Sequence, residues 1–106
     1  MGLFDFFKRP NINEGVESYR AAKDAVLLDV RTPQEYLQGR IPGSKNIPLQ
    51  SLHTVEKVIE AKDTPLFVYC LSGVRSRQAA ARLQKMGYTR VNDIGGIAAY
   101  TGKMEK

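Results

Sequence analysis

Apolar runs of strand length alternate along the chain with segments of helical period, the pattern of a mainly parallel α/β sheet with crossover helices. Asn11 and Glu14 form a capping pair for a first helix that carries Val16, Tyr19 and Arg20. Residues 25–30, Ala-Val-Leu-Leu-Asp-Val, read as a buried strand. Thr32, with Pro33 in the first helical position and Glu35 three residues on, announces a short helix through Tyr36 and Leu37 that Gly39 closes. Ile41-Pro42-Gly43-Ser44 is a turn and Asn46-Ile47-Pro48 a short extended piece. Leu49, Leu52, Val55 and Ile59 recur at helical spacing and predict one helix to about residue 61. Asp63-Thr64-Pro65 breaks it. Leu66-Phe67-Val68-Tyr69 is apolar and aromatic enough for a central strand that stops at Cys70. From Ser76 onward Ala79, Ala80, Leu83 and Met86 supply a helix face ending at Gly87. Residues 90–94 are the last strand, Gly95-Gly96 turns the chain, and the tail from Ile97 is expected to be briefly helical before it frays.

Composition fits one core. The 106 residues, 42% hydrophobic and 25% charged, describe a globular domain too short to divide. Residues 11–106 are expected to form that domain, with 1–10 as an N-terminal extension. No apolar run reaches the roughly 18 residues of a membrane span, and the start lacks the features of a secretory signal, so the cytoplasm is the default. Three phenylalanines ahead of Lys8 and Arg9 are expected to tuck onto the domain.

The net charge of +5 is unevenly placed: residues 1–69 carry nine Lys or Arg against nine Asp or Glu, and residues 70–106 carry seven against two. A basic surface attracts small anions as well as nucleic acid. Aromatic residues in that second part are only Tyr88 and Tyr100, which argues against a stacking platform for nucleic acid.

Cys70, where that imbalance begins, is the only cysteine, which excludes an intramolecular disulfide, a Cys-x-x-Cys redox pair and a multi-thiolate metal site. A single cysteine is either a small core residue or a reactive thiol. Its position separates the two readings. It stands where a buried strand hands over to a helix, at the carboxyl edge of a parallel sheet, where α/β domains place ligands. The link Leu71-Ser72-Gly73-Val74-Arg75, relaxed by Gly73, can curl so that successive N–H groups point inward beside the positive end of the next helix. Such a cradle favours a thiolate, and helix N-termini and neighbouring arginines do the same. Arg75 offers forked donors to an oxyanion held against the sulfur. Ser76 is placed to cap the helix or to donate to the sulfur.

The segment Cys70-Leu71-Ser72-Gly73-Val74-Arg75-Ser76 resembles the active-site loop of the rhodanese family of sulfurtransferases, over roughly residues 11–100. Leu28-Asp29-Val30-Arg31 with Glu35-Tyr36 is similar to that family's first signature, Gly39-Arg40-Ile41-Pro42-Gly43-Ser44 with Asn46-Ile47-Pro48 to its second, and Gly95-Gly96-Ile97 to its C-terminal turn. The resemblance implies a rhodanese-like fold, a mainly parallel central sheet flanked by helices in three α/β/α layers. It also implies a cysteine that takes sulfane sulfur from thiosulfate or a persulfide donor and passes it to cyanide or a thiol. Cys70 and Arg75 are then the catalytic pair, and Leu71, Ser72, Gly73, Val74, Arg75 and Ser76 the substrate cradle. No metal or organic cofactor is implied. The expected partners are a small anionic sulfur donor and a thiol or cyanide acceptor, with a protein donor or acceptor as the alternative and no nucleic acid.

Phosphatases that share this fold separate Cys from Arg by five residues, whereas here there are four, and by resemblance the smaller ring favours sulfur transfer over phosphatase or arsenate reductase activity. The alternative within the family is a carrier or regulatory module with little turnover of small donors. Arg40 stands where the family often has His, Ser44 where it often has Ala, and Tyr100 where it often has Trp. Arg40, Arg77 and Arg82 are read as solvated charges, Asp29 as a structural ion pair or cap that fixes Arg31, Arg75 or the loop N–H groups, and His53 as a partly exposed helical residue rather than a metal ligand. The reading requires the side chain of residue 70 to be reachable from solvent.

Overall fold

Two strands carry the core because they are apolar without interruption. β1 (Val26–Asp29) and β3 (Leu66–Cys70) are buried almost throughout, as strands covered on both faces are. With β2 (Ser44–Asn46) and β4 (Val91–Gly96) they form a four-stranded sheet in the order β2-β1-β3-β4. Every neighbouring pair is parallel. The computed structural model describes residues 10–106; the expected docking of the N-terminal phenylalanines lies outside them.

Alternation along β3 divides the core in two. Leu66, Val68 and Cys70 join Leu28, Leu52, Val55, Ala79 and Leu83 on one face. Phe67 and Tyr69 join Ile12, Val16, Ile94 and Ile97 on the other. The helices follow these faces. α1 (Ile12–Ala21), capped by the Asn11 side chain, covers the second face. α4 (Val74–Lys85) covers the first, together with a 3₁₀ segment (Leu49–Thr54) and the single turn α3 (Val55–Val58). The result is the three-layer α/β/α arrangement expected from the sequence. α2 (Pro33–Gln38) buries none of its residues and lies beyond the carboxyl end of β1, opened by the Thr32/Glu35 capping box and ended at Gly39.

Four expectations change. The single helix expected over 49–61 is a 3₁₀ segment kinked at Ser51 followed by one α turn. His53 therefore lies exposed in the 3₁₀ segment. α4 begins at Val74, two residues earlier than expected, which leaves only Leu71, Ser72 and Gly73 as the loop. Gly95 and Gly96 belong to β4, because the register slips between Val68 and Tyr69 and one extra residue on β4 brings the two glycines beside Tyr69 and Cys70. The tail does not fray after its 3₁₀ turn (Ile97–Ala99): Glu105 returns to pair with Arg40 in an antiparallel bridge. Among the described residues no helix is long and apolar enough to cross a membrane.

Candidate active site

Cys70 ends β3 with its side chain on the α4 face of the sheet, so the sulfur meets the start of that helix. The Gly73 N–H donates to Cys70 Sγ at 3.0 Å, and Gly73 itself takes the left-handed conformation at φ +103°, open to glycine at little cost, where the chain turns into α4. The same turn sets the positive end of the twelve-residue α4 beside the sulfur. The arrangement differs from the expected open cradle in two respects: of the loop N–H groups only that of Gly73 bonds to the sulfur, and Cys70 has no exposed surface.

Two contacts fasten the loop, one from the 3₁₀ turn after β4 and one from β4 itself. The Leu71 carbonyl accepts the Ala98 N–H at 3.1 Å. Gly96 passes so close beneath that a Cβ there would overlap the Leu71 carbonyl and approach Ser72 Cα to 2.7 Å. Ser76 completes the attachment. Its buried hydroxyl reaches the carbonyls of Gly73 at 3.1 Å and Gly95 at 3.5 Å, so it neither caps α4 nor donates to the sulfur. A hydroxyl has one proton to give, and here the loop and β4 share it.

Arg75 sits in the first turn of α4, and its guanidinium is held by Glu35 of α2, Nη1 to Oε1 at 2.8 Å and Nη2 to Oε2 at 3.0 Å. The pairing fixes the fork and still leaves three of its five N–H groups for a ligand. Hydrogen bonding to Arg75, helped by Thr32 and opposed by burial, lowers the Glu35 carboxyl from 4.5 to about 2. Hydrogen bonding to Glu35 in turn raises the Arg75 guanidinium above its ordinary value. Sequence reasoning gave Glu35 only a capping role and missed this contact; the signal was its place in the first signature, beside Tyr36.

Asp29 and Arg31 pair with each other and not with the loop. The carboxylate takes both Nε and Nη2 of Arg31, the latter at 2.7 Å, and Nη2 also reaches the Gly39 carbonyl. Asn46 donates to the carbonyls of both residues, so the junction after β1 is rigid. Ser44 accepts the proton of the buried Tyr69 hydroxyl at 3.2 Å, a role alanine has no atom to fill, and burial pushes that phenol up. Arg40 is not a free solvated charge. Its guanidinium lies 4.8 Å from the Tyr36 ring centre and 3.3 Å from Glu105. Arg77 and Arg82 are exposed as expected. Among the described residues no three His, Cys, Asp or Glu side chains gather as a metal site requires.

Known proteins and structures resemble this chain over most of its length. The family model for the rhodanese-like domain matches residues 13–103. A sulfurtransferase of Allochromatium vinosum is 42% identical over 79 residues, 74% of this chain and 73% of that protein. The thiosulfate sulfurtransferase PspE of Escherichia coli is 38% identical over 71 residues, 66% and 68% of the two chains. Among solved structures, a rhodanese with anions from Escherichia coli superposes with a TM-score of 0.72 at 34% identity, over 77% of this chain and 98% of the other.

Proposed function

The chain belongs to the rhodanese-like domain family, and from that premise we propose that it is a sulfurtransferase carrying sulfane sulfur on Cys70. The Cys70 thiolate attacks the outer sulfur of thiosulfate; a new S–S bond forms, the bond to the sulfonate sulfur breaks, and sulfite leaves with the electron pair. Cyanide or a thiolate then attacks the terminal sulfur of the persulfide, and the electron pair of the breaking bond returns to Sγ. No proton needs to move in either step with ionised reactants, so no general acid or base is required of the protein.

The observation that carries the reading is the Gly73 N–H on Cys70 Sγ at the amino end of α4. An N–H aimed at a sulfur that must bear negative charge before and after transfer stabilises both states. Arg75, fixed by Glu35, supplies the cation that a dianionic donor needs as it nears a thiolate. Leu71, Ser72, Gly73, Val74 and Ser76 shape the space, with Ser76 acting through the loop backbone. Burial of Cys70 adds a requirement: the loop must yield to admit the donor. Its three residues are short, and Leu71 and Ser72 are exposed, so the movement is local.

The test is direct because Cys70 is the only thiol. Incubation with thiosulfate should add the mass of one sulfur to the intact chain, and cyanide should remove it with release of thiocyanate. Cys70→Ser should gain nothing. An unchanged mass would leave Cys70 a core thiol, and rapid hydrolysis of phosphate esters would move the site to a different chemistry.

A further inference from the structure

The surroundings of the thiol are more apolar than a small anion requires. Leu71 is 43% and Val74 57% exposed, and these aliphatic side chains bracket the loop that covers Cys70. An isolated exposed aliphatic carries no message. Two of them flanking a reactive group, beside a charged helix face, do. Val74, Arg77, Gln78, Ala81 and Lys85 are exposed on α4, opposite the buried Ser76, Ala79 and Leu83. That outward face bears Arg77 and Lys85, with Arg82 at its border, and no carboxylate occurs anywhere along the helix. Arg75, the remaining cation of α4, is engaged by Glu35.

We infer that the loop and the outward face of α4 form a docking surface for an acidic protein presenting a cysteine among apolar side chains, and that this protein thiol accepts the sulfur of Cys70. The inference rests on the persulfide reading above and specifies its acceptor. Charge complementarity selects the occupant. Arg77, Arg82 and Lys85 meet carboxylates, while Leu71 and Val74 meet the apolar neighbours of the incoming cysteine, excluding water from the exchange. A nucleic acid would match the cations and leave the aliphatic pair unused. In the transfer, the partner thiolate bonds to the terminal sulfur as the Cys70 S–S bond breaks. Cys70 is left as a thiolate and the partner as a persulfide, with no outside oxidant or reductant.

The test uses the full chain loaded from thiosulfate and freed of excess donor. The loss of the added sulfur mass is followed against short synthetic peptides, each with one cysteine: acidic with leucines beside the cysteine, acidic with serines there, and basic with leucines. The acidic leucine peptide should discharge the persulfide about tenfold faster than the basic one at low salt, and faster than the serine peptide. The double substitution Arg77→Gln, Lys85→Gln should erase most of the charge preference while the protein still loads from thiosulfate. Equal rates for all three peptides on a normally loaded protein overturn the docking surface and leave the persulfide reading intact. Failure to load at all removes both. An oligonucleotide that binds the loaded protein more tightly than the acidic leucine peptide assigns the face to nucleic acid instead.

Discussion

At φ −118° and ψ 136°, Gly96 occupies backbone that any residue adopts, so conformational freedom is not what glycine supplies there. It supplies room: a Cβ would overlap the Leu71 carbonyl and crowd Ser72 Cα, and both obstacles are backbone. Gly96→Ala should therefore lift the loop from β4, cost about 1–3 kcal/mol as an overpacked contact, and slow sulfur loading. Denaturant unfolding and the thiosulfate mass assay read the two effects, and unchanged values in both would mean that the loop does not depend on this contact. Glu35 acts through charge instead. Glu35→Gln keeps the shape but loses the ionised partner of Arg75, and misplacing the guanidinium should slow thiosulfate loading about tenfold or more. The same pair leaves a signature in acid. Because the folded carboxyl is lowered from 4.5 to about 2, its contribution to stability is complete above pH 4.5 and is lost as the pH falls toward 2. Wild type should lose stability over that window more steeply than Glu35→Gln. Parallel acid profiles would show that the ion pair contributes nothing to folding.

Among the elements, the tail matters through Arg40. Backbone bonds of 2.8 Å in both directions tie residue 40 to Glu105, and the Arg40 side chain adds the stacking on Tyr36, a long hydrogen bond of 3.4 Å to the Tyr36 carbonyl and a partly exposed ion pair. Arg40→Ala keeps the backbone bridge and loses only those additions, so it should cost about 1 kcal/mol and leave thiosulfate loading within about twofold of wild type. A larger kinetic loss would put Arg40 in the site. How far the elements could be read from sequence follows from what each depends on. β1, β3, α1 and α2 rest on local signals, namely uninterrupted apolar runs, Asn11, and the Thr32/Pro33/Glu35 start, and they form where those signals lie. The segment after Pro48 misleads because Leu49, Leu52 and Val55 are spaced by three, a period that 3₁₀ and α helices share over so short a run. The loop around Cys70 was legible as a motif, but its cover was not. That depends on Gly96, on Ser76 reaching Gly95 and on Glu35 reaching Arg75, contacts formed only when the strands align.

For the molecule as a whole, the parallel sheet gathers the useful ends of its strands on one edge. β1 delivers Asp29 and the turn into α2, β3 delivers Cys70, and β4 delivers Gly95 and Gly96. Of the seven Lys or Arg after residue 69, set against two acids, four belong to α4, the helix that starts beside Cys70, and β3 and β4 carry none. A dianionic donor approaching a molecule of 39 × 31 × 26 Å feels that excess over the whole particle when the screening length is about 30 Å, at 0.01 M salt, and over only a fraction of it at about 8 Å, near 0.15 M. Sulfur loading from thiosulfate should thus slow several-fold across that range, at constant pH and with an inert salt. Discharge to a neutral thiol reagent brings no charge to steer and should vary far less. If loading is as insensitive to salt as discharge, the net charge of +5 plays no part in drawing the donor, and the work of attracting it falls to the short-range contacts at Gly73 and Arg75 alone.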